Sequence, residues 1–281
     1  MKILFRMRRA VFLLPVVFCL FFFSASEAAE DGVSAGRKII SESQNCVITL
    51  EIVISSRMGM AGQESTSEGK TEITATIIDP SGLAVFSLSA SNPADIFGRL
   101  MKSARGEDSD FKMESEITKI TMRLADGKEI PGTIVMRDTD LDMAFVRPEK
   151  PLAEPLKAID LSLNAKAEIL EPVIFLSRMG RDGGWVVFAV MDYVRAVMAR
   201  PRTFYVPDEN ITALGCPVFN VKGKIVGILL LRMPPVSAGA GNMGFGSLFG
   251  GGLSEMGIFP VILPAEDIIG VAKQIPASSV R

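Results

Sequence analysis

The sequence predicts an all-β protein that ends in a single helix. Several segments are rich in β-branched residues, or alternate apolar with polar residues, as strands do. Turn sequences typical of hairpins separate these segments, among them residues 79–82 (Asp-Pro-Ser-Gly) and Asp126-Gly127. A clear helical period occurs at residues 265–275, where Glu266 and Asp267 suit a helix N-terminus.

The first half of the chain contains most of the alternating segments. The predicted strands are 46–55, 71–78, 83–88, 118–124 and 130–136. Residues 30–43 are a polar lead-in without a clear period, and residues 57–70 are predicted to be an exposed hairpin loop. A short helix is expected around residues 93–101.

The second half has longer apolar runs. The predicted strands are 167–177, 185–195, 218–219, 225–231 and 256–264. Turns are expected at 179–184 and at Lys222-Gly223, and a loop at 200–210. Residues 234–257 are rich in Gly, Ser and Phe and contain a literal G-x-G-x-x-G at 239–244. We reject a dinucleotide site there, because flanking prolines and glycines leave no strand that leads directly into a helix.

Residues 1–28 have the composition of a secretory signal peptide. A basic start is followed by an apolar core at 11–23 and by a small-x-small cleavage sequence, Ser26-Glu27-Ala28. Removing this segment leaves 26 basic and 31 acidic residues, a net charge of −5. We therefore expect a secreted or periplasmic protein that does not bind nucleic acid, and that meets a membrane only if the signal peptide is retained.

The chain contains no histidine. This removes the usual general base and the commonest metal ligand, so we expect no Ser-His-Asp site, no metal and no cofactor. After export two cysteines remain, Cys46 and Cys216. They either form a disulfide or are two buried thiols that pack as small apolar groups.

Residues 212–228 read Thr-Ala-Leu-Gly-Cys-Pro-Val-Phe-Asn-Val-Lys-Gly-Lys-Ile-Val-Gly-Ile. This segment resembles the nucleophile loop of trypsin-like (chymotrypsin-fold) serine proteases, most closely of the HtrA branch. There the loop reads Gly-Asn-Ser-Gly-Gly-Pro-Leu, then Asn-x-x-Gly-x-Val-Ile-Gly-Ile. Gly215, Cys216 and Pro217 match Gly-Gly-Pro, whereas Ala213 and Leu214 stand at the positions of the Asn and the catalytic Ser.

Other segments carry the same resemblance. Residues 137–146, Arg-Asp-Thr-Asp-Leu-Asp-Met-Ala-Phe-Val, resemble the family's Arg-Asp-x-x-x-Asp-Leu-Ala-Val-Leu. The last Asp of that motif orients the catalytic histidine, and Asp142 matches it. The alternative is that Asp142 caps a turn before a buried strand. Counting on from Gly82, the histidine position is Ser89.

The resemblance implies an architecture of two antiparallel six-stranded β-barrels followed by a C-terminal helix. Barrel one would span about 44–147, the linker about 148–165 and barrel two about 166–275, within a mature chain of 29–281. The peptide-binding PDZ domain that is usual in HtrA proteins is not expected.

Three functions are compatible with these features. The first is a catalytically inactive protease homologue that binds peptide or protein in the cleft between the barrels. The second is an active endopeptidase, either of the serine-protease family or cysteine-dependent; the latter would use Cys216, with Lys222 or Lys224 as base. The third is a structural envelope protein that contacts its partners through the Gly-rich loop at 234–257.

Overall fold

The structure, a computed structural model, describes residues 32–60, 63–92, 112–208, 213–233 and 258–276. The strands are β1 Val47–Met60, β2 Gln63–Ile77, β3 Ala84–Ser87, β4 Lys112–Arg123, β5 Glu129–Asp138, β6 Met143–Pro148, β7 Pro172–Arg178, β8 Val187–Tyr193, β9 Ala196–Met198, β10 Phe204–Val206, β11 Pro217–Asn220, β12 Ile225–Arg232 and β13 Phe259–Pro264. The helices are α1 at 32–43, α2 Leu88–Ser91 and α3 Ala265–Ala272, with 3-10 turns at Gln44–Cys46 and Arg181–Gly183.

Strands β1 to β6 close into an antiparallel barrel in the order β1-β2-β3-β6-β5-β4. Alternate residues of β1, namely Ile48, Leu50 and Ile52, are buried and belong to one hydrophobic cluster. Phe86 of β3 and Met122 of β4 belong to the same cluster and are also fully buried. The five strands predicted in the first half of the chain are confirmed by this barrel.

Strands β7 to β13 form a curled sheet in the order β8-β7-β11-β12-β13-β10-β9. Its two edge strands, β8 and β9, are separated in the chain by only two residues, Val194 and Arg195. The Val194 N–H donates to the Glu171 carbonyl beside β7 at 3.0 Å, whereas the Arg195 N–H donates to the Val206 carbonyl of β10 at 2.7 Å. Segment 187–198 is thus one bent strand that joins both ends of the sheet.

The predicted fold class is confirmed by these two units. The closed six-stranded barrel and the curled half-barrel are consistent with a chymotrypsin-like double-barrel fold. The second unit has seven strands, and counting β8 and β9 as one bent strand gives the expected six. The helix predicted at 265–275 is α3, and its buried side chains include Ile268 and Val271.

The core consists of three hydrophobic clusters. One fills the first barrel and one lies within the second sheet. The third and largest contains residues of both units, among them Phe145 of β6, Phe219 of β11 and Ile268 of α3. Burial of this apolar surface stabilises the association of the two units, at roughly 25 cal/mol per Å².

Polar side chains also cross between the units. The Thr74 and Ser177 hydroxyls are hydrogen-bonded at 2.9 Å. The Thr76 hydroxyl donates to the Gly215 carbonyl at 2.8 Å. Arg178 of β7 donates to the carbonyls of the first barrel and of the preceding turn. These polar groups are satisfied across the interface, so their burial carries little desolvation penalty.

Arg178 forms the most extensive of these contacts. Its Nε donates to the Val47 carbonyl at 2.6 Å, and its terminal nitrogens donate to the carbonyls of Gln44 at 2.8 Å and of Trp185 at 3.1 Å. The ring of Trp185 in turn stacks against the Arg123 guanidinium of β4, 3.7 Å from its centroid. The planar guanidinium suits this arrangement because its donors diverge in fixed directions.

Two polar segments differ from their sequence-based predictions. Residues 32–43, predicted as a lead-in, form α1, whose Ile39 is buried and whose Ala35 and Ile40 pack against the shared cluster. Most of residues 57–70, predicted as a loop, continue β1 and β2 in register, for example Arg57 opposite Thr66. Neighbouring backbone groups supply hydrogen-bond partners that local composition does not reveal.

Three further differences concern the second unit. Residues 200–210, predicted as a loop, include β10. Residues 185–195, predicted as an apolar strand, form β8 within narrower bounds, and several of its apolar side chains are exposed. Residues 167–171 precede β7 and contain no strand.

The local turn predictions are confirmed. Gly82, Gly127 and Gly223 all have positive φ, and the Gly82 N–H donates to the Asp79 carbonyl at 2.9 Å. The signal peptide, the helix around 93–101 and the Gly-rich loop at 234–257 lie outside the described residues. No helix in the described ranges is long and apolar enough to cross a membrane.

Candidate functional site

Asp142 connects the two units from the turn before β6. Its side chain is 3% exposed and accepts three hydrogen bonds. Oδ2 accepts from the Ser87 hydroxyl at 2.6 Å and from the Leu231 N–H at 2.8 Å, and Oδ1 accepts from the Ser89 N–H at 2.7 Å. None of these donors lies in the turn that contains Asp142, so the carboxylate does not act as a turn cap.

Two electrostatic effects act in opposite directions on the pKa of Asp142. Burial raises the pKa of the carboxyl above its ordinary value, because a low-dielectric environment disfavours the charged form. The hydrogen bonds from Ser87, Leu231 and Ser89 act in the other direction, since they favour the carboxylate. Burial is the larger effect. Asp142 is also in a left-handed conformation, φ 55°, which Asp tolerates better than most residues.

Ser89 lies on α2, a single helical turn directly after β3. Ser87 caps this turn: its Oγ accepts from the Ala90 N–H at 3.1 Å while its hydroxyl donates to Asp142. The Ser89 side chain is 6% exposed, and its Oγ has no hydrogen-bond partner. The structure therefore places Ser89 against Asp142, the two residues predicted at the histidine and aspartate positions.

Leu214 is not part of this pair. It does not line the cavity beside Ser89, and it packs with Ala213 against the cluster inside the second sheet. The loop around it is fixed by Gly215, which has φ 87° and whose N–H donates to the Leu229 carbonyl at 2.7 Å. A Cβ at Gly215 would lie 2.2 Å from the Thr74 carbonyl oxygen, so only glycine fits this approach.

The cysteines are both free and buried, and they belong to different hydrophobic clusters. Burial raises the pKa of Cys46 to about 11 and raises that of Cys216 well above its ordinary value. Cys216 is fully inaccessible to solvent. Pro217, beside it, begins β11. A thiol that stays protonated and cannot be reached by a substrate is not a nucleophile.

A cavity of about 250 Å³ opens beside Ser89 and Asp142. It is lined by Ser89, Asn92, Ser115, Glu116, Arg137, Thr139 and Met233, among others. The Oδ1 of Asn92 is buried and, like the Ser89 Oγ, has no hydrogen-bond partner. Buried polar atoms without partners carry a desolvation cost, which a bound polar group would remove.

The cavity adjoins an open edge of β12. Pairing with β11 and its loop ends at Leu229, whose N–H donates to the Cys216 carbonyl at 3.0 Å. The next N–H on this side, Leu231, donates to Asp142. By alternation the Met233 N–H also faces this side, and in the described chain no strand pairs with the edge beyond Leu229. This leaves room for an added extended segment.

Ser87, Asn92 and Leu231 also belong to this site, although no sequence motif singled them out. Ser87 had a usable signal, since Ser before a short polar segment is a common helix cap. The Leu231 contribution comes from its backbone N–H, which no side-chain pattern reveals. The described residues contain no group of three or more Cys, Asp and Glu side chains that could hold a metal ion.

No protein-family model matches the chain, and no curated protein matches it at a significant level.

Proposed function

We propose that this protein is a secreted or periplasmic homologue of the trypsin-like serine proteases, of the HtrA branch, that binds extended peptide or protein segments without cleaving them. The observation that carries this proposal is the contrast at the site. Asp142 accepts three hydrogen bonds, one of them from the Leu231 N–H of β12, and no described strand pairs with this edge beyond Leu231. Ser89 and Leu214, in contrast, stand at the positions predicted for the base and the nucleophile.

The absence of catalysis follows from residue chemistry. A leucine side chain has no nucleophilic atom, and a serine hydroxyl is not a base at neutral pH. The cysteine alternative loses support because Cys216 is buried and its thiol has a raised pKa. Lys222 and Lys224, the bases that this alternative needs, are exposed on the turn between β11 and β12, whereas Cys216 is buried.

Peptide binding is supported by the edge that continues beyond Leu231, whose own N–H is bonded to Asp142 and with which no described strand pairs. An extended peptide that pairs with this edge would place side chains over the cavity beside Ser89 and Asn92. Main-chain hydrogen bonds would provide affinity that depends little on sequence, and the cavity would provide selectivity for one side chain. Arg137 and Glu116 at its wall favour polar over large apolar side chains.

Turnover is tested with fluorescently labelled casein and the purified chain from Ala29 onward, with Cys216→Ala alongside. We expect no cleavage above buffer in either sample. Cleavage that disappears in Cys216→Ala would contradict the proposal and establish a cysteine mechanism. Cleavage that persists in Cys216→Ala would also contradict it, once a second purification route had excluded a contaminant.

Binding is tested with an array of overlapping peptides from unfolded proteins, followed by fluorescence polarisation of the best binders. Met233→Pro removes the N–H on the open edge without removing a bond between β12 and β13. Met233→Ala, the matched control, keeps the N–H. We expect Met233→Pro to weaken binding at least about tenfold and Met233→Ala to leave it nearly unchanged. Equal affinity of both variants would refute binding at this edge.

A further inference from the structure

Strand β8 has a sequence typical of a buried strand but lies at the surface. Residues 187–193 read Val-Phe-Ala-Val-Met-Asp-Tyr, with apolar residues on both faces. The structure leaves Val190, Met191 and Tyr193 exposed by 38%, 42% and 47%. Val186 before β8 and Val197 on β9 are also exposed. Exposed apolar surface concentrated in this way marks an interaction site more often than a free surface.

The outer edge of β8 also lacks backbone partners. β8 pairs with β7 along its full length, and within the described residues nothing pairs with its other side. Its one charged residue, Asp192, is 8% exposed and is already bonded, accepting from the Asp208 N–H at 2.8 Å and from Arg195 at 3.1 Å. β8 has no Lys, Pro or bulge to discourage the addition of another strand.

A second edge in the same protein shows the contrast. Strand β2 pairs with β3 at Thr76 and Ile77, and within the described residues no strand pairs with residues 65–71 on this side. That edge bears exposed Glu68 and Lys70. Charges of this kind keep open edges from pairing. β8 has no exposed charge of this kind, because its one charged residue, Asp192, is buried.

We propose that two copies of this protein pair their β8 strands antiparallel about a twofold axis near Val190. Such an interface is self-complementary, because Val190 lies opposite the Val190 of the partner and apolar residues flank it on both sides. No like charges meet, since Asp192 is buried and bonded within its own chain. A lipid surface is a poorer occupant, because hydrocarbon cannot satisfy the open N–H and C=O groups of a strand edge.

The oligomeric state of the chain from Ala29 onward tests this inference. Analytical ultracentrifugation from micromolar concentrations upward should give a dimer. Val190→Lys would place two like charges opposite each other and should raise the dimer Kd at least about tenfold. The control is Leu163→Lys. Leu163 is 65% exposed and lies beside β12, and β7 and β11 lie between β12 and β8 in the sheet. The dimer Kd of this variant should equal that of the wild type.

A conservative variant covers the case in which Val190→Lys fails to fold. Val190→Cys should form an intermolecular disulfide under mild oxidation, because facing Cβ atoms of paired strands are about 4.5–5.5 Å apart and a small shift brings them within the roughly 3.5–4.5 Å that a disulfide spans. Cys46 and Cys216 are buried and do not compete, and Leu163→Cys should not cross-link. A wild-type monomer throughout, a Kd that Val190→Lys does not change, or flotation with phosphatidylcholine vesicles in place of dimerisation would overturn the proposal.

Discussion

Replacing Asp142 by asparagine changes the connection between the two units with little change in shape. The side-chain oxygen of the new asparagine can still accept from the Ser87 hydroxyl and from the Leu231 N–H. Its amide nitrogen then faces the Ser89 N–H, so two donors meet where a carboxylate oxygen accepted a bond at 2.7 Å. Asparagine also tolerates the left-handed backbone of this position, φ 55°, so no new strain is introduced.

The expected cost follows from the bonds that are lost. A hydrogen bond to a charged group contributes about 1.5–3 kcal/mol, and the unpartnered Ser89 N–H costs a similar amount. Removing a buried charge offsets part of this loss. We therefore expect Asp142→Asn to lower the free energy of unfolding by about 1–3 kcal/mol. Asp142→Ala should cost more, about 3–5 kcal/mol, because three donors lose their acceptor and alanine is strained at positive φ.

The pH dependence of the free energy of unfolding provides an independent test of Asp142. Burial raises the pKa of Asp142 in the folded state, so the folded protein binds this proton more tightly than the unfolded chain. The contribution of Asp142 to stability is thus complete below its unfolded value, about 3.9, and falls as pH rises through the folded pKa. The stability difference between wild type and Asp142→Asn should therefore grow as pH falls through this window.

Urea unfolding followed by tryptophan emission measures both effects. The single tryptophan, Trp185, stacks on Arg123 across the interface between the units, so its emission reports their separation. The Asn and Ala variants are compared with wild type at neutral pH and at acidic steps. A loss below about 0.5 kcal/mol for Asp142→Asn would refute the role assigned to the carboxylate. A stability difference between wild type and Asp142→Asn that shrinks on acidification would refute the conclusion that burial outweighs the hydrogen bonds in setting the pKa of Asp142.

Three other changes test separate features. Gly215→Ala should lower the free energy of unfolding by at least about 3 kcal/mol, because the new Cβ meets a backbone carbonyl. Gly223→Ala is the control: its Cβ would lie in open space, and it should cost about 1 kcal/mol. Equal losses in urea unfolding would contradict this. Cys46 and Cys216 should not react with a thiol reagent in the folded mature chain and should both react in urea; labelling of the folded chain would contradict their burial. Arg178→Lys should lower the free energy of unfolding by about 2–3 kcal/mol and shift tryptophan emission to the red, because an ammonium cannot donate in three fixed directions. A loss of less than about 0.5 kcal/mol would contradict this, because lysine would then replace the three guanidinium hydrogen bonds.

The features that sequence predicted correctly are governed by local chemistry. The turns at residues 79–82, at Asp126-Gly127 and at Lys222-Gly223 depend on a few adjacent residues with fixed conformational preferences. The strand–helix end of the chain combines an apolar run with acidic residues at a helix start. Each signal is contained in fewer than about a dozen neighbouring residues, so no knowledge of distant packing is needed.

The features that sequence missed depend on distant partners. Residues 57–70 have no apolar alternation, and those of them that the structure describes are strands because β1, β2 and β4 provide one another with backbone partners. α1 has too few apolar residues to show a period, and its packing against the shared cluster stabilises it.

In the candidate site, some residues could be predicted from the sequence and others depend on distant partners. The family resemblance singled out Ser89 and Asp142, and the structure brings them into contact. The donors to the same carboxylate, Ser87 and Leu231, are 55 and 89 residues away in the chain. One of them is a backbone group. Such partners follow only from the packing of β12 against the first barrel.

The polar contacts that join the two units also bear on how this chain can be divided. The carboxylate of Asp142, the hydroxyls of Thr74 and Thr76 and the guanidinium of Arg178 each have a partner in the other unit. A fragment ending at the linker would expose these groups together with its own part of the shared apolar cluster. Separate halves are therefore expected to be poorly soluble alone and to regain native structure when mixed, so that this protein is suited to fragment complementation.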